Sequence, residues 1–309
     1  MKRLLYTRAI PIVVLLALLA SCANLWKSGK TGLHTEDALS DTVTVAQHTY
    51  IYYNVCGQGE PLILLHGHSL DRRMWDEQLP ALSPYFRVYC LDLRGYGLSS
   101  PQQEGEAFVH ADDVIAFMNR LHLEKAHIVG LSMGSFIAGD LLAIYPERLL
   151  SCTLASGGIR NTPGPSEPMD SIESAKRDRE IAALLEKGIS QYKAEWIEAL
   201  IASGGTERER MREPLTRMVN EWSAWQPLHK EARCYYAREA WDSLKVRRPD
   251  VPTLFLKGGN EGDKPNPMMQ WLPNSRQVVI PNCGHMLNMD QPEAFNQALL
   301  QFLLPLRHH

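Results

Sequence analysis

The chain has 309 residues, 45% of them hydrophobic and 22% charged, with a formal net charge of −3. That is enough apolar material for one full core with room for an insertion, which excludes a disordered or fibrous chain. The slightly acidic balance argues against nucleic acid as a partner.

At the N terminus, Lys2, Arg3 and Arg8 precede or open an apolar run from Ala9 to Ala20. The run is shorter than the ~20 helical residues needed to cross a bilayer, so residues 1–21 read as a secretory signal peptide. It ends in Leu19-Ala20-Ser21-Cys22, which resembles the lipobox of bacterial lipoproteins. The resemblance implies lipidation at Cys22 and an exported protein held by its lipid, on the outer side of the inner membrane or at the outer membrane. Removing the signal moves the net charge from −3 to −6, with 29 basic residues against 35 acidic. Residues 22–42, polar and aperiodic around Lys27-Ser28-Gly29-Lys30, are expected to be a flexible tether.

The body begins with Val43 to Val55, rich in Val, Thr and Tyr, which predicts one or two strands closed by Gly57-Gln58-Gly59. Pro61 to Leu65 and Arg87 to Leu91 are continuous apolar runs, the mark of strands covered on both faces of a parallel sheet. Helices are expected from Asp71 to Leu82 and from about Phe108 to Leu121, and further strands at Ala126–Val129, Leu149–Ala155, Pro252–Lys257 and Gln277–Ile280. The alternation predicts an α/β fold with a doubly wound, mostly parallel sheet. Residues 164–246 interrupt it without strand signals, and read as an inserted helical cap between core segments 43–163 and 247–309. The cap holds Trp196, Trp222, Trp225, Trp241, Tyr235 and Tyr236, as its own small core or as the lining of a pocket. The cysteines beyond Cys22 are odd in number and lack C-x-x-C spacing, so they suggest neither a metal knuckle nor a full disulfide framework.

Within this pattern, the strand ending at Val129 runs into Gly130-Leu131-Ser132-Met133-Gly134. A serine raised on a sharp strand-to-helix turn needs almost no side chain two residues before and after it, and the new helix aims its first N–H groups at whatever the serine attacks. With Leu65-His66-Gly67-His68, Asp92-Leu93-Arg94-Gly95-Tyr96-Gly97, Lys257-Gly258-Gly259-Asn260-Glu261 and Cys283-Gly284-His285 in this order, the chain from Val43 to Leu304 resembles the α/β-hydrolase superfamily with a helical cap. The resemblance implies a serine hydrolase, esterase-like, with no cofactor, acting on a small-molecule acyl substrate such as an ester or lactone through an acyl-enzyme.

The family order makes Ser132 the nucleophile and His285 the general acid and base. Counted from Thr253, the acid's place falls on Glu261; Asp263, two residues on, is the alternative. Backbone N–H groups of Met133 and His68 are expected to receive the oxyanion. His127, inside a strand, and Asp92 are expected to be structural. His66-x-His68 followed by Asp71 departs from the metal motif H-x-H-x-D-H, since the aspartate is one residue late and no histidine adjoins it, so no metal site is read. Two other readings keep the same residues: a cofactor-free haloperoxidase or perhydrolase, and a non-catalytic binding protein on this fold. The oligomeric state has no signature here.

Overall fold

The computed structural model describes residues 38–103, 106–159, 171–229, 237 and 239–307. Its sheet contains β1 (Leu39–Ala46), β2 (Thr49–Cys56), β3 (Pro61–Leu65), β4 (Arg87–Leu91), β5 (Ala126–Leu131), β6 (Leu149–Ala155), β7 (Thr253–Gly258) and β8 (Ser275–Ile280), in the order β1-β2-β4-β3-β5-β6-β7-β8. β1 pairs antiparallel with β2, and β2 antiparallel with β4; every other pairing is parallel. The central strands are the continuous apolar runs of the sequence. Leu62 to Leu65 are wholly buried, as are Ile128 and Val129 beside them. Each such side chain contributes about 1.5–3 kcal/mol by leaving water.

The longer helices are α1 (His110–Arg120), α2 (Met133–Ile144), α3 (Ser171–Lys187), α4 (Ile189–Ala202), α5 (Arg212–Glu221), α6 (Ala240–Arg247) and α7 (Pro292–Leu303). α2 lies against β3, β5 and β6, and all but two of its residues are buried. This places the serine turn at its head in the middle of the sheet's carboxyl edge, where open α/β sheets put their sites.

Three expectations are corrected. The tether expected over 22–42 ends sooner, because Leu39 to Thr42 already pair with Val55 to Tyr52. These residues are mostly exposed on an edge strand, so their pairing leaves little hydrophobic signature. The helix expected over Asp71–Leu82 is instead a 3₁₀ turn, Arg72–Trp75, and a single α-turn, Leu79–Leu82. Asp71 does cap the first by accepting from the Arg73 N–H, and Pro80, which lacks an N–H, stands in the first turn of the second. The cap expected over 164–246 includes α6, which packs along α2 in the core. α3, α4 and α5 lie between β6 and β7 in the chain; the boundary at 163/164, Tyr235, Tyr236 and residues 1–37 lie outside the described residues.

Candidate active site

Ser132 joins β5 to α2 with φ 55° and ψ −112°, a conformation costing a non-glycine residue on the order of 1–3 kcal/mol. The surrounding backbone imposes it. The Ser132 N–H donates to Ala155 O at 2.9 Å, and its carbonyl accepts from Phe136 N at 3.1 Å. A Cβ on Gly130 would lie 2.0 Å from Gly134 O, and one on Gly134 would lie 2.0 Å from Leu65 O. Strand and helix therefore close around the serine only because both positions are glycine.

His285 stands on the loop between β8 and α7. Its Nε2 is 2.9 Å from Ser132 Oγ and its Nδ1 is 2.8 Å from Glu261 Oε1, so residues 153 and 24 positions away in sequence meet on one imidazole. Glu261 ends the 3₁₀ turn Gly259–Glu261 that follows β7. Its second oxygen accepts from Ser156 Oγ at 2.7 Å and from Gly258 N at 3.4 Å. Burial by itself raises the Glu261 pKa, but the bonds from His285 and Ser156, the imidazole charge and the Gly258 N–H together hold it below the usual glutamate value. Glu261 is thus kept ionised beside the ring. Asp263 is exposed on the same loop, with its backbone carbonyl accepting from Gln277 Nε2 at 3.2 Å.

The two expected oxyanion donors flank the serine. Met133 opens α2, whose N-terminus carries the positive end of the helix dipole. His68 follows Gly67, where a Cβ would sit 3.7 Å from Ser132 Cβ, so this turn lies directly against the nucleophile. The turn is braced: Leu70 N donates to Gly67 O, Ser69 Oγ donates to His68 O, and Trp196 Nε1 of α4 donates to Ser69 Oγ at 2.7 Å. The His68 ring bonds through Nδ1 to Tyr96 OH at 2.8 Å and meets Trp196 and Trp222 edge to face. Two cap tryptophans therefore face the core beside the site, whereas Trp241 packs on Trp271 and Trp225 stacks on His229.

A cleft of about 170 Å³ opens beside His68, with Leu184, Tyr192 and Pro227 among its walls. A larger cavity, about 330 Å³, is bordered by Asp71, Arg73, Glu221 and Trp222 and contains none of Ser132, Glu261 or His285 in its walls. The smaller cleft likewise has none of Ser132, Glu261 and His285 in its walls, but it reaches the turn after β3 through His68.

Neighbouring polar residues do structural work. His66 donates from Nδ1 to Gly67 O and accepts the Leu93 N–H at Nε2, which fixes its tautomer. Asp92 is fully buried, accepting from the Arg72 N–H and guanidinium and from Leu98 N, and His127 bonds to Ser151 inside β5. Sequence reasoning missed Ser156, which supports Glu261, and Trp196, which braces the oxyanion turn. A signal for Ser156 was present, since Ser156-Gly157-Gly158 closes an apolar strand at the sheet's carboxyl edge. None existed for Trp196, because only folding brings α4 over the turn after β3.

A family model described as alpha/beta hydrolase fold matches residues 60–292. The chain is 27% identical over 249 residues to the dihydrolipoyllysine-residue acetyltransferase component of an acetoin cleaving system from Pseudomonas putida, a match covering 79% of this chain and spanning 64% of that protein's length. It is 26% identical over 262 residues to the pimeloyl-[acyl-carrier protein] methyl ester esterase of Nitrosospira multiformis, covering 82% of this chain and 97% of that one. Among solved structures, a thermophilic esterase from Thermogutta terrifontis superposes with a TM-score of 0.67 at 27% identity, over 88% of this chain and all of that one.

Proposed function

The chain belongs to the alpha/beta hydrolase fold family and is an enzyme of that family; from that premise we propose that it cleaves a small ester, lactone or related acyl compound through an acyl-enzyme on Ser132. The observation that carries this reading is the continuous relay from Ser132 Oγ to His285 Nε2 at 2.9 Å and from His285 Nδ1 to Glu261 Oε1 at 2.8 Å.

A serine hydroxyl near neutral pH is a weak nucleophile and needs its proton removed as it attacks. His285 Nε2 takes that proton, and Glu261 holds the ring in the Nδ1–H tautomer and offsets the imidazolium charge. The carbonyl oxygen becomes an oxyanion between the Met133 and His68 N–H groups, each such donor being worth roughly 3 kcal/mol. Imidazolium then gives its proton to the departing alkoxide, leaving the acyl group on Ser132 Oγ. Water enters, loses a proton to His285 and attacks the acyl carbon; as the tetrahedral intermediate collapses, His285 returns that proton to Ser132 Oγ and the acid leaves.

Ser132→Ala tests this reading. Hydrolysis of a p-nitrophenyl ester and labelling by a fluorophosphonate should both disappear, with kcat lower by up to ~10⁶ and the fold unchanged. Near-normal turnover by that variant would overturn the mechanism. Peroxide-dependent turnover without ester hydrolysis would favour the perhydrolase alternative, and a wild-type protein silent in every assay would favour a binding role.

We extend the proposal to residues 1–37: export by the 1–21 signal and a lipid anchor on Cys22. The positive residues, the short apolar run and Leu19-Ala20-Ser21-Cys22 support it.

A further inference from the structure

Asp290 is wholly buried at the end of the single-turn helix Leu287–Asp290, five residues past His285. A buried carboxylate is costly unless it is bonded; here Oδ2 takes two backbone N–H groups while Oδ1 is buried without a hydrogen-bond partner among the described residues. Its Oδ2 accepts from Gly284 N at 2.7 Å and from Gly205 N at 2.5 Å. Gly284 immediately precedes His285; Gly205 belongs to the turn after α4, in the cap. One oxygen thus ties the histidine loop to a cap turn.

The two segments are further joined along their length. His285 N donates to Ser203 O at 3.1 Å, and Thr206 N to Asn282 O at 3.0 Å. A Cβ on Gly284 would lie 1.9 Å from Ser203 O, and one on Gly205 would lie 1.9 Å from Asn282 O. The backbones are therefore in contact at a distance only glycine allows. The acid's loop enters the same junction, since Asn260 donates from its backbone to Cys283 O at 3.1 Å and from its side chain to Gly204 O at 3.2 Å. Asn260 adjoins Glu261.

We infer that Asp290 is a positioning residue: through Gly284 and Gly205 it locks the cap turn 203–206 onto the histidine loop and so sets His285 between Ser132 and Glu261. The cap then contributes to the geometry of the reaction as well as covering the site. This inference rests on the triad reading above. A carboxylate suits the position because a charged acceptor binds N–H groups about twice as strongly as a neutral one, and both donors lie on glycines with no side chain to brace them.

The experiment compares Asp290→Ala and Asp290→Asn with wild type on p-nitrophenyl butyrate, with circular dichroism and thermal unfolding to verify the fold and Ser132→Ala as the reference. Removing the acceptor frees the ring to shift by a fraction of an ångström to an ångström, and displacement on that scale costs about 100-fold. Asp290→Ala should therefore lose about 100-fold in kcat with KM within about threefold, because substrate contacts are untouched. Asp290→Asn retains an oxygen acceptor without charge and should lose only about three- to tenfold. A folded Asp290→Ala variant with kcat within threefold of wild type, or a loss confined to KM, overturns the inference. Should Asp290→Ala not fold, Asp290→Asn decides, and wild-type kcat in that variant overturns it. An active Ser132→Ala would instead refute the triad reading itself.

Discussion

On His285 the whole reading turns, and its two ring nitrogens assign different tasks to their partners. Nε2 faces Ser132, and Nδ1 faces Glu261 at 2.8 Å while Asp263 stays exposed two residues on. Because an acid acts by fixing the tautomer and offsetting the imidazolium charge, its loss is felt in kcat. Glu261→Gln should lower kcat by orders of magnitude, whereas Asp263→Asn should cost tenfold or less, about 1.4 kcal/mol of barrier. Steady-state kinetics on one ester decide it, and the reverse ranking would transfer the role to Asp263. The downward shift of the Glu261 pKa adds that the carboxylate stays charged to below the usual glutamate range.

At the level of elements, α2 carries the site at its head and a buried acid further along. Asp140 is wholly enclosed and accepts from Ala237 N at 2.6 Å, which ties the chain returning from the cap, just before α6, to the helix that begins at Ser132. Burial is the main cause that pushes its pKa up to about 8; the Ala237 bond opposes this, and the nearby Glu239 and Asp112 charges add to it. A carboxyl whose folded pKa exceeds its unfolded value favours the folded state only while protonated. Its contribution is complete below about pH 4, the ordinary carboxyl value, and is lost as pH rises toward 8. Asp140→Asn keeps an acceptor for Ala237 and never ionises. Its Tm should therefore gain on wild type from pH 4 to about pH 8 and level off above that, by several degrees at the upper end. A Tm difference independent of pH would show that Asp140 does not titrate in this range.

For the molecule as a whole, the question is where it works. No helix among the described residues is long and apolar enough to cross a membrane, and the proposed lipid at Cys22 is the attachment to be tested. Several acyl chains on one cysteine hold firmly, whereas the −6 charge of the remaining chain offers little attraction to anionic lipid. Cys22→Ser should move the enzyme from the membrane pellet to the soluble fraction with its ester hydrolysis intact. Unchanged partition, or an unmodified Cys22 by mass spectrometry, would remove the anchor from the proposal.

What the sequence by itself determined is whatever local chemistry dictates. The runs Pro61–Leu65, Arg87–Leu91 and Leu149–Ala155 read as buried strands, and Gly130-Leu131-Ser132-Met133-Gly134, set between strand and helix signals, reads as a tight turn because strand and helix crowd together there. The order of serine, acid and histidine followed from the resemblance to the α/β-hydrolase superfamily that these motifs carry. The sequence placed the acid at Glu261 but left Asp263 open as the alternative, since both lie on one glycine-containing loop and the choice depends on which oxygen reaches an imidazole 24 residues away. Nor could it find Leu39–Thr42 as an exposed edge strand, Ser156 behind the acid, Trp196 over the oxyanion turn or Asp290 between cap and histidine loop. Each of these acts through a hydrogen bond to a distant segment, and such bonds leave no periodicity in the chain; only the tertiary structure, by packing those segments together, decided them.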